Sequence, residues 1–253
     1  MLIRLLLLGL TGLFLTGCNP AKTIGVDLNF TKTNFGFVNS GAYRAGSMFL
    51  WDREANTLSY LGDVPGFEQP AIEEAPDRAL TYSAGLKLDA NLTALQKLAV
   101  EGEIKRRSRL IVDDAHRVPY SNVYTKITSY LEADIDNDGS LLDEWSFKEV
   151  VESHNLKYVI IRDVTYGSRL KVSIDQEVQQ GASFPVKVGN ATYNIKVSGR
   201  AAETISGANS AITFNVYVLN AYYKDGTNPA VELQRGLDLS DLPDLFRQVG
   251  NTS

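Results

Sequence analysis

The sequence predicts an α+β chain, with an antiparallel sheet toward the C-terminus and helices concentrated in the middle of the chain. Three observations carry this. Between Asn91 and Glu152 apolar residues recur at spacings of three and four, the period of a helix that buries one stripe. From Tyr158 to Tyr223 they alternate with polar residues, the period of a strand with one buried and one wet face. The 253 residues, 44% of them apolar and 22% charged, are enough to bury a core.

The first element of the body is a hairpin. Met48-Phe49-Leu50-Trp51 and Leu58-Ser59-Tyr60-Leu61 are apolar-aromatic stretches on either side of the polar run from Asp52 to Asn56. Pro65, Gly66, Pro70 and Pro76 then interrupt any regular element up to about Asp77, the most loop-like stretch of the body. Asn91 is placed to cap a helix that carries Leu92, Leu95, Leu98 and Ala99 on one stripe. Leu110-Ile111-Val112 reads as a buried strand. A second helical pattern runs through Val123, Ile127, Tyr130 and Leu131, and a third from about Trp145 to Glu152 with Phe147, Val150 and Val151 on one side.

The strand-rich half follows. Leu170, Val172 and Ile174 alternate with Lys171, Ser173 and Asp175; Tyr193, Ile195 and Val197 alternate with Asn194, Lys196 and Ser198. Ile212, Phe214, Val216 and Val218 alternate with Thr213, Asn215 and Tyr217. Gly189-Asn190 suits a tight hairpin turn, because glycine tolerates positive φ at the first central position, so an antiparallel meander is expected. Leu242, Leu245, Phe246 and Val249 form a short closing helix, with Asp241 ahead of it as a cap and Gly250 behind.

Charge and cysteine content narrow the function classes. With 25 basic and 30 acidic residues the net charge is −5, which disfavours nucleic acid as a partner. The single cysteine, Cys18, excludes an intramolecular disulfide framework and any cysteine-built zinc or iron–sulfur site within one chain.

The N-terminus carries an address. Arg4 precedes an apolar run from Leu5 to Leu15, too short for a membrane-spanning helix, which needs about 20 apolar residues, and suited to the core of a signal peptide. The run ends in Leu15-Thr16-Gly17-Cys18, which resembles the lipobox of bacterial lipoprotein precursors. The resemblance implies a diacylglyceryl group on the Cys18 thiol, cleavage before it and acylation of the new N-terminus. Asn19, where an inner-membrane retention signal would have Asp, implies the outer membrane of the cell envelope. The expected organisation is a signal peptide over 1–17, a lipidated N-terminus and short tether over 18–26, and a single α+β domain over 27–253. The partner so implied is a membrane, reached through the lipid anchor.

Asp134-Ile135-Asp136-Asn137-Asp138-Gly139-Ser140-Leu141 resembles the first eight positions of an EF-hand calcium loop. Carboxylates on alternate residues can converge on one hard cation, and Gly139 permits the sharp turn. The twelfth position is Trp145, with Glu144 one place early, so the candidate Ca²⁺ ligands are Asp134, Asp136, Asp138, Ser140 and Glu144. The same composition also makes an ordinary turn between helices. No other cofactor is called for.

Lys105, Arg106, Arg107 and Arg109 form a basic cluster that could face anionic lipid or remain a solvated strand end. Asp113, Asp114 and His116 place two carboxylates beside one of only two histidines, the other being His154. Ser168-Arg169-Leu170-Lys171 matches Ser-x-x-Lys formally, but in a strand residues three apart point to opposite faces. Six tyrosines, at 158, 166, 193, 217, 222 and 223, suit either a sheet or a binding face. No catalytic residue is singled out.

Tyr158–Leu170, YVIIRDVTYGSRL, is similar to a segment of the cholesterol-dependent cytolysins and to gasdermin-like pore formers, although the cytolysins' tryptophan-containing undecapeptide is absent. That resemblance implies conversion of amphipathic segments into membrane hairpins, whose strands need about 9–11 residues. Residues 211–223 are about that long. Three functions are therefore expected in turn: a non-enzymatic lipid-anchored protein binding a protein or envelope component, a pore-forming or membrane-remodelling protein, and a hydrolase of envelope polymers using Asp113, His116 or His154.

Overall fold

The computed structural model describes residues 25–38, 43–64, 73–74, 78–80, 82–89, 93–95, 97–98, 101–102, 108–119, 122–137, 139–174, 183–188, 191–196 and 202–250. Its spine is one antiparallel pair, β12 (Leu156–Ile174) and β15 (Ala202–Lys224), matched from Tyr158 opposite Leu219 to Ser173 opposite Ala202. The other strands of the large sheet attach to these two, in the order β5 (Thr57–Asp63), β4 (Ser47–Asp52), β12, β15, β3 (Gly36–Val38), β2 (Lys32–Thr33), β8 (Tyr82–Ala84).

One edge of β12 is covered piece by piece along its length. β4 takes residues 156–160, β11 (His116–Pro119) takes 163–166 and β10 (Ser108–Asp113) takes 169–174. β6 (Glu73–Glu74) pairs with β11 and β7 (Arg78–Leu80) with β10, while β16 (Asn228–Leu233) pairs with the end of β15. A separate four-stranded sheet has the order β14 (Ala191–Lys196), β13 (Ser183–Val188), β1 (Gly25–Asp27), β9 (Lys87–Asp89).

The α+β class and the placement of its helices agree with the sequence, and so does the hairpin, which is β4–β5 around residues 53–56. The meander does not hold. β13 and β14 do pair as a hairpin with Val188 opposite Ala191, but β13 then joins β1 in parallel, outside the large sheet. β12 passes directly to β15 as its neighbour.

The alternation expected of half-buried strands also needs correction in the core. Val159, Ile161, Val164, Phe214 and Val218 enter one hydrophobic cluster, while Tyr158, Ile160 and Leu219 enter another on the opposite face. Both faces are covered because helices lie on each. On one side, α1 (Val123–Ile135), α2 (Ser140–Glu144) and α3 (Phe147–Glu152) contribute Val123, Ile127, Leu131, Phe147 and Val150. On the other, α4 (Leu242–Gly250) contributes Leu242, Leu245 and Phe246.

Phe246 is the hub of that second layer. Its ring lies 5.1–6.0 Å from those of Phe30, Phe37, Tyr43, Phe49 and Phe214, mostly tilted or edge-on, the arrangement that aromatic quadrupoles favour. Burial, with a smaller contribution from Tyr60, pushes the Tyr43 hydroxyl up to about 12. Gly36 lets β3 reach this layer: at φ 118° it lies so close to β15 that a Cβ would sit 2.2 Å from the Phe214 carbonyl oxygen.

The helix expected after Asn91 begins outside the described residues. A helical turn does form there, with the Lys97 N–H donating to the Thr93 carbonyl at 2.8 Å. Of its stripe, Leu95 is 80% and Leu98 66% exposed, while Leu92 and Ala99 lie outside the described residues. Helical periodicity fixes which residues share a face, and an opposing element must still arrive to bury it.

Candidate functional site

Cys18 and residues 1–17 lie outside the described residues, as do Lys105, Arg106, Arg107 and Asp138. Arg109 falls in β10 opposite Ser173 of β12. Ser168–Lys171 lies wholly within β12, an extended segment, which is the conformation that argues against a Ser-x-x-Lys pair.

The acidic loop joins α1 to α2. Asp134 ends up in the last turn of α1, and its Oδ2 accepts the Leu142 N–H at 3.0 Å. Leu142 is the third residue of α2, where a backbone donor has no partner within the helix, so Asp134 acts as an N-terminal cap supplied from the preceding helix. The Asn137 side-chain amide donates to the Ala133 carbonyl at 3.0 Å, and Gly139 takes the left-handed conformation at φ 76° immediately before α2. Asp136 and Ser140 are exposed. Among the described residues no three of His, Cys, Asp and Glu are grouped to hold a metal ion.

The two histidines sit in different settings. His116, in β11, stacks on Tyr166 of β12 at 5.4 Å with 12° between the rings. His154 follows α3 and lines a groove at the far end of β12. Asp113 is buried at the end of β10, and Asp114 makes the turn into β11 at φ 49°. Among the tyrosines, Tyr158 is fully buried and donates to the Trp145 carbonyl at 2.9 Å, Tyr217 lies under the Arg162 guanidinium at 4.8 Å, and Tyr222 and Tyr223 are exposed.

One site went unread in the sequence. Asp163 is completely buried in β12, and its Oδ2 accepts from Arg117 Nη2 at 2.7 Å and forms an ion pair with Arg162 Nε at 2.8 Å. Its Oδ1 accepts from Asn215 Nδ2 at 2.7 Å. A charge out of water persists only when paired and hydrogen-bonded, and here both oxygens are engaged. The spacing of the partners is set by an irregularity in the ladder, because the register between β12 and β15 shifts between Ile161 and Asp163, leaving Arg162 as the extra residue. The signal in the sequence is a single charged pair, Arg162-Asp163, interrupting the apolar run Tyr158–Ile161.

Beyond Asp163 the ladder changes character. Two more register shifts follow, between Thr165 and Tyr166 and between Gly167 and Arg169. Thr165 and Gly167 are still buried and Tyr166 still packs against the core, and the strand continues to Ile174 with β10 on one side and β15 on the other. There β7, β10, β12 and β15 lie side by side. The register sets Leu80, Leu110, Val172 and Glu203 in one row, and Arg78, Val112, Leu170 and Ile205 in the next row of the same face. The intervening row is Ala79, Ile111, Lys171 and Thr204. Alternate rows of a pleated sheet belong to opposite faces, so the positions of one face are predominantly apolar.

No family model and no curated protein matches the chain. Among solved structures it is similar to a bacterial gasdermin from Bradyrhizobium tropiciagri, with a TM-score of 0.31 and 9% identity over 83% of this chain and 85% of that one. So distant a likeness assigns neither a family nor an activity.

Proposed function

We propose that the chain is a lipid-anchored cell-envelope protein, tethered through Cys18, whose extended strands act on the membrane in pore formation or remodelling. The observation that carries this is the far end of β12, Arg169 to Ile174, paired with β10 on one side and β15 on the other and bearing apolar residues at alternate register rows. β12 has 19 residues and β15 has 23, each longer than the about 9–11 residues that a strand needs to cross a bilayer. Exposed Leu95 and Leu98 add apolar surface of the kind that lipid accepts. The lipobox supplies the anchor: one acyl chain binds a bilayer marginally, while three hold permanently in practice. A tethered body then meets lipid at high effective concentration.

The test is dye release from lipid vesicles by the full chain carrying its lipid. Wild type is expected to release the dye, and Leu170→Asp to lose release while keeping the thermal melt of the core. Release by Leu170→Asp at the wild-type rate, or none from wild type across neutral and anionic vesicles, would count against the reading.

A further inference from the structure

At the end of the sheet opposite Ile174, a groove of about 410 Å³ opens where α3 meets the start of β12. Lys157, Arg53 and His154 line it, together with Asn220, Glu232 and Gln234. Lys157 is only 9% exposed, but it makes none of the ion pairs found among the described residues. Arg53 likewise makes none of them; its guanidinium lies over the Trp51 ring at 5.7 Å.

A partly buried ammonium without an ion-pair partner is disfavoured, since burial opposes the charged form and a neighbouring cation opposes it further. Both act here: burial first, then the Arg53 charge, hold Lys157 below its ordinary pKa. The strain is relieved when an anion enters. We propose that this groove is a binding site for a phosphate-bearing ligand, seated between the Lys157 ammonium and the Arg53 guanidinium.

The choice of phosphate follows from charge and space. Two cations facing one opening suit an anion with several acceptor oxygens, and phosphate presents its oxygens tetrahedrally to both groups. The volume exceeds that of bare phosphate and leaves room for a group the size of glycerol or a sugar. The remaining lining suits hydroxyls: Glu232 accepts from them, and the Asn220 and Gln234 amides, hydrogen-bonded to each other, both donate and accept. The same phosphoglycerol chemistry occurs in soluble metabolites and in lipid headgroups.

Calorimetry on the full chain in non-ionic detergent separates these sources, using inorganic phosphate, glycerol 3-phosphate, and mixed micelles of the same detergent with phosphatidylcholine, with and without phosphatidylglycerol. Saturable binding is expected, tighter for glycerol 3-phosphate than for phosphate, and weakened roughly tenfold or more by Lys157→Met. Arg53→Gln, at an exposed position, guards against a folding defect and should weaken binding in the same direction. Binding of phosphatidylglycerol in mixed micelles without binding of glycerol 3-phosphate would assign the site to a lipid headgroup, and the reverse to a soluble ligand. Leu170→Asp should bind phosphate as wild type does, so this site and the membrane-acting strands stand or fall separately. No binding of any probe, or unchanged binding in both groove variants, would overturn the proposal.

Discussion

Replacing Asp163 by Asn keeps the shape of the side chain and removes its charge, in a position with no exposed surface. Hydrogen bonds from Arg117 and Asn215 and an ion pair with Arg162 converge on the carboxylate at 2.7–2.8 Å. Breaking a buried pair by neutralising one partner costs about 3–5 kcal/mol when the other partner is stranded. Here the arginines are not fully stranded, since their side chains are 27% and 34% exposed and regain water. The lower end, about 3 kcal/mol, is therefore expected. For a chain of this size that corresponds to a fall of roughly 6–12 °C in Tm. Thermal melts by circular dichroism, with urea unfolding to check that the m-value is unchanged, measure it. A loss below about 1 kcal/mol would show that the carboxylate is not sustained by those arginines, and would refute the account of the irregular ladder at Arg162.

Three further outcomes are expected. Phe246→Ala removes the ring at the centre of five aromatic contacts and should cost about 3–5 kcal/mol in the same melts; a smaller loss would mean that α4 repacks without it. Asp134→Ala removes the cap on Leu142 and should cost about 1 kcal/mol with or without chelator, whereas millimolar calcium that raises the Tm of wild type but not of Asp136→Ala would establish a cation site in the loop. Asp63 is held below the usual carboxylate range: burial opposes this, but hydrogen bonds from Arg44, Ser47 and Tyr60 outweigh it. Its contribution is therefore present above its unfolded value of 3.8 and lost as pH falls through the lower folded value. Asp63→Asn should remove at most about 1 kcal/mol at neutral pH and flatten the acid limb of the stability curve below pH 4, and an unchanged acid limb would count against the pairing.

Local patterns were legible where one element decides its own structure. Val123, Ile127 and Leu131 repeat at helical spacing and are buried, and Leu242, Leu245 and Phe246 do the same in α4. The β4–β5 hairpin could be read because its two apolar runs flank a short polar turn. What escaped depends on partners distant in the chain. Nothing near Val26 announces its parallel pairing with Val186, and the stripe through Leu95 and Leu98 gave no hint that it would be left exposed. The length of β12 was hidden for a different reason: each register shift resets the alternation, so one strand of 19 residues reads as several short ones. Asp163 was missed because its three partners lie one, 46 and 52 residues away. The acidic loop was legible as a turn, and Asp134 as a cap became visible only once α2 was found to start at Ser140.

The membrane role of the extended strands is tested most directly by placing an environment-sensitive fluorophore on single cysteines at residues 170 to 174 in turn, with Cys18 retained and lipidated. On addition of vesicles the account predicts an emission blue shift of period two, present at 170, 172 and 174 and absent at 171 and 173. Uniform emission across all five positions, unchanged by lipid, would contradict it.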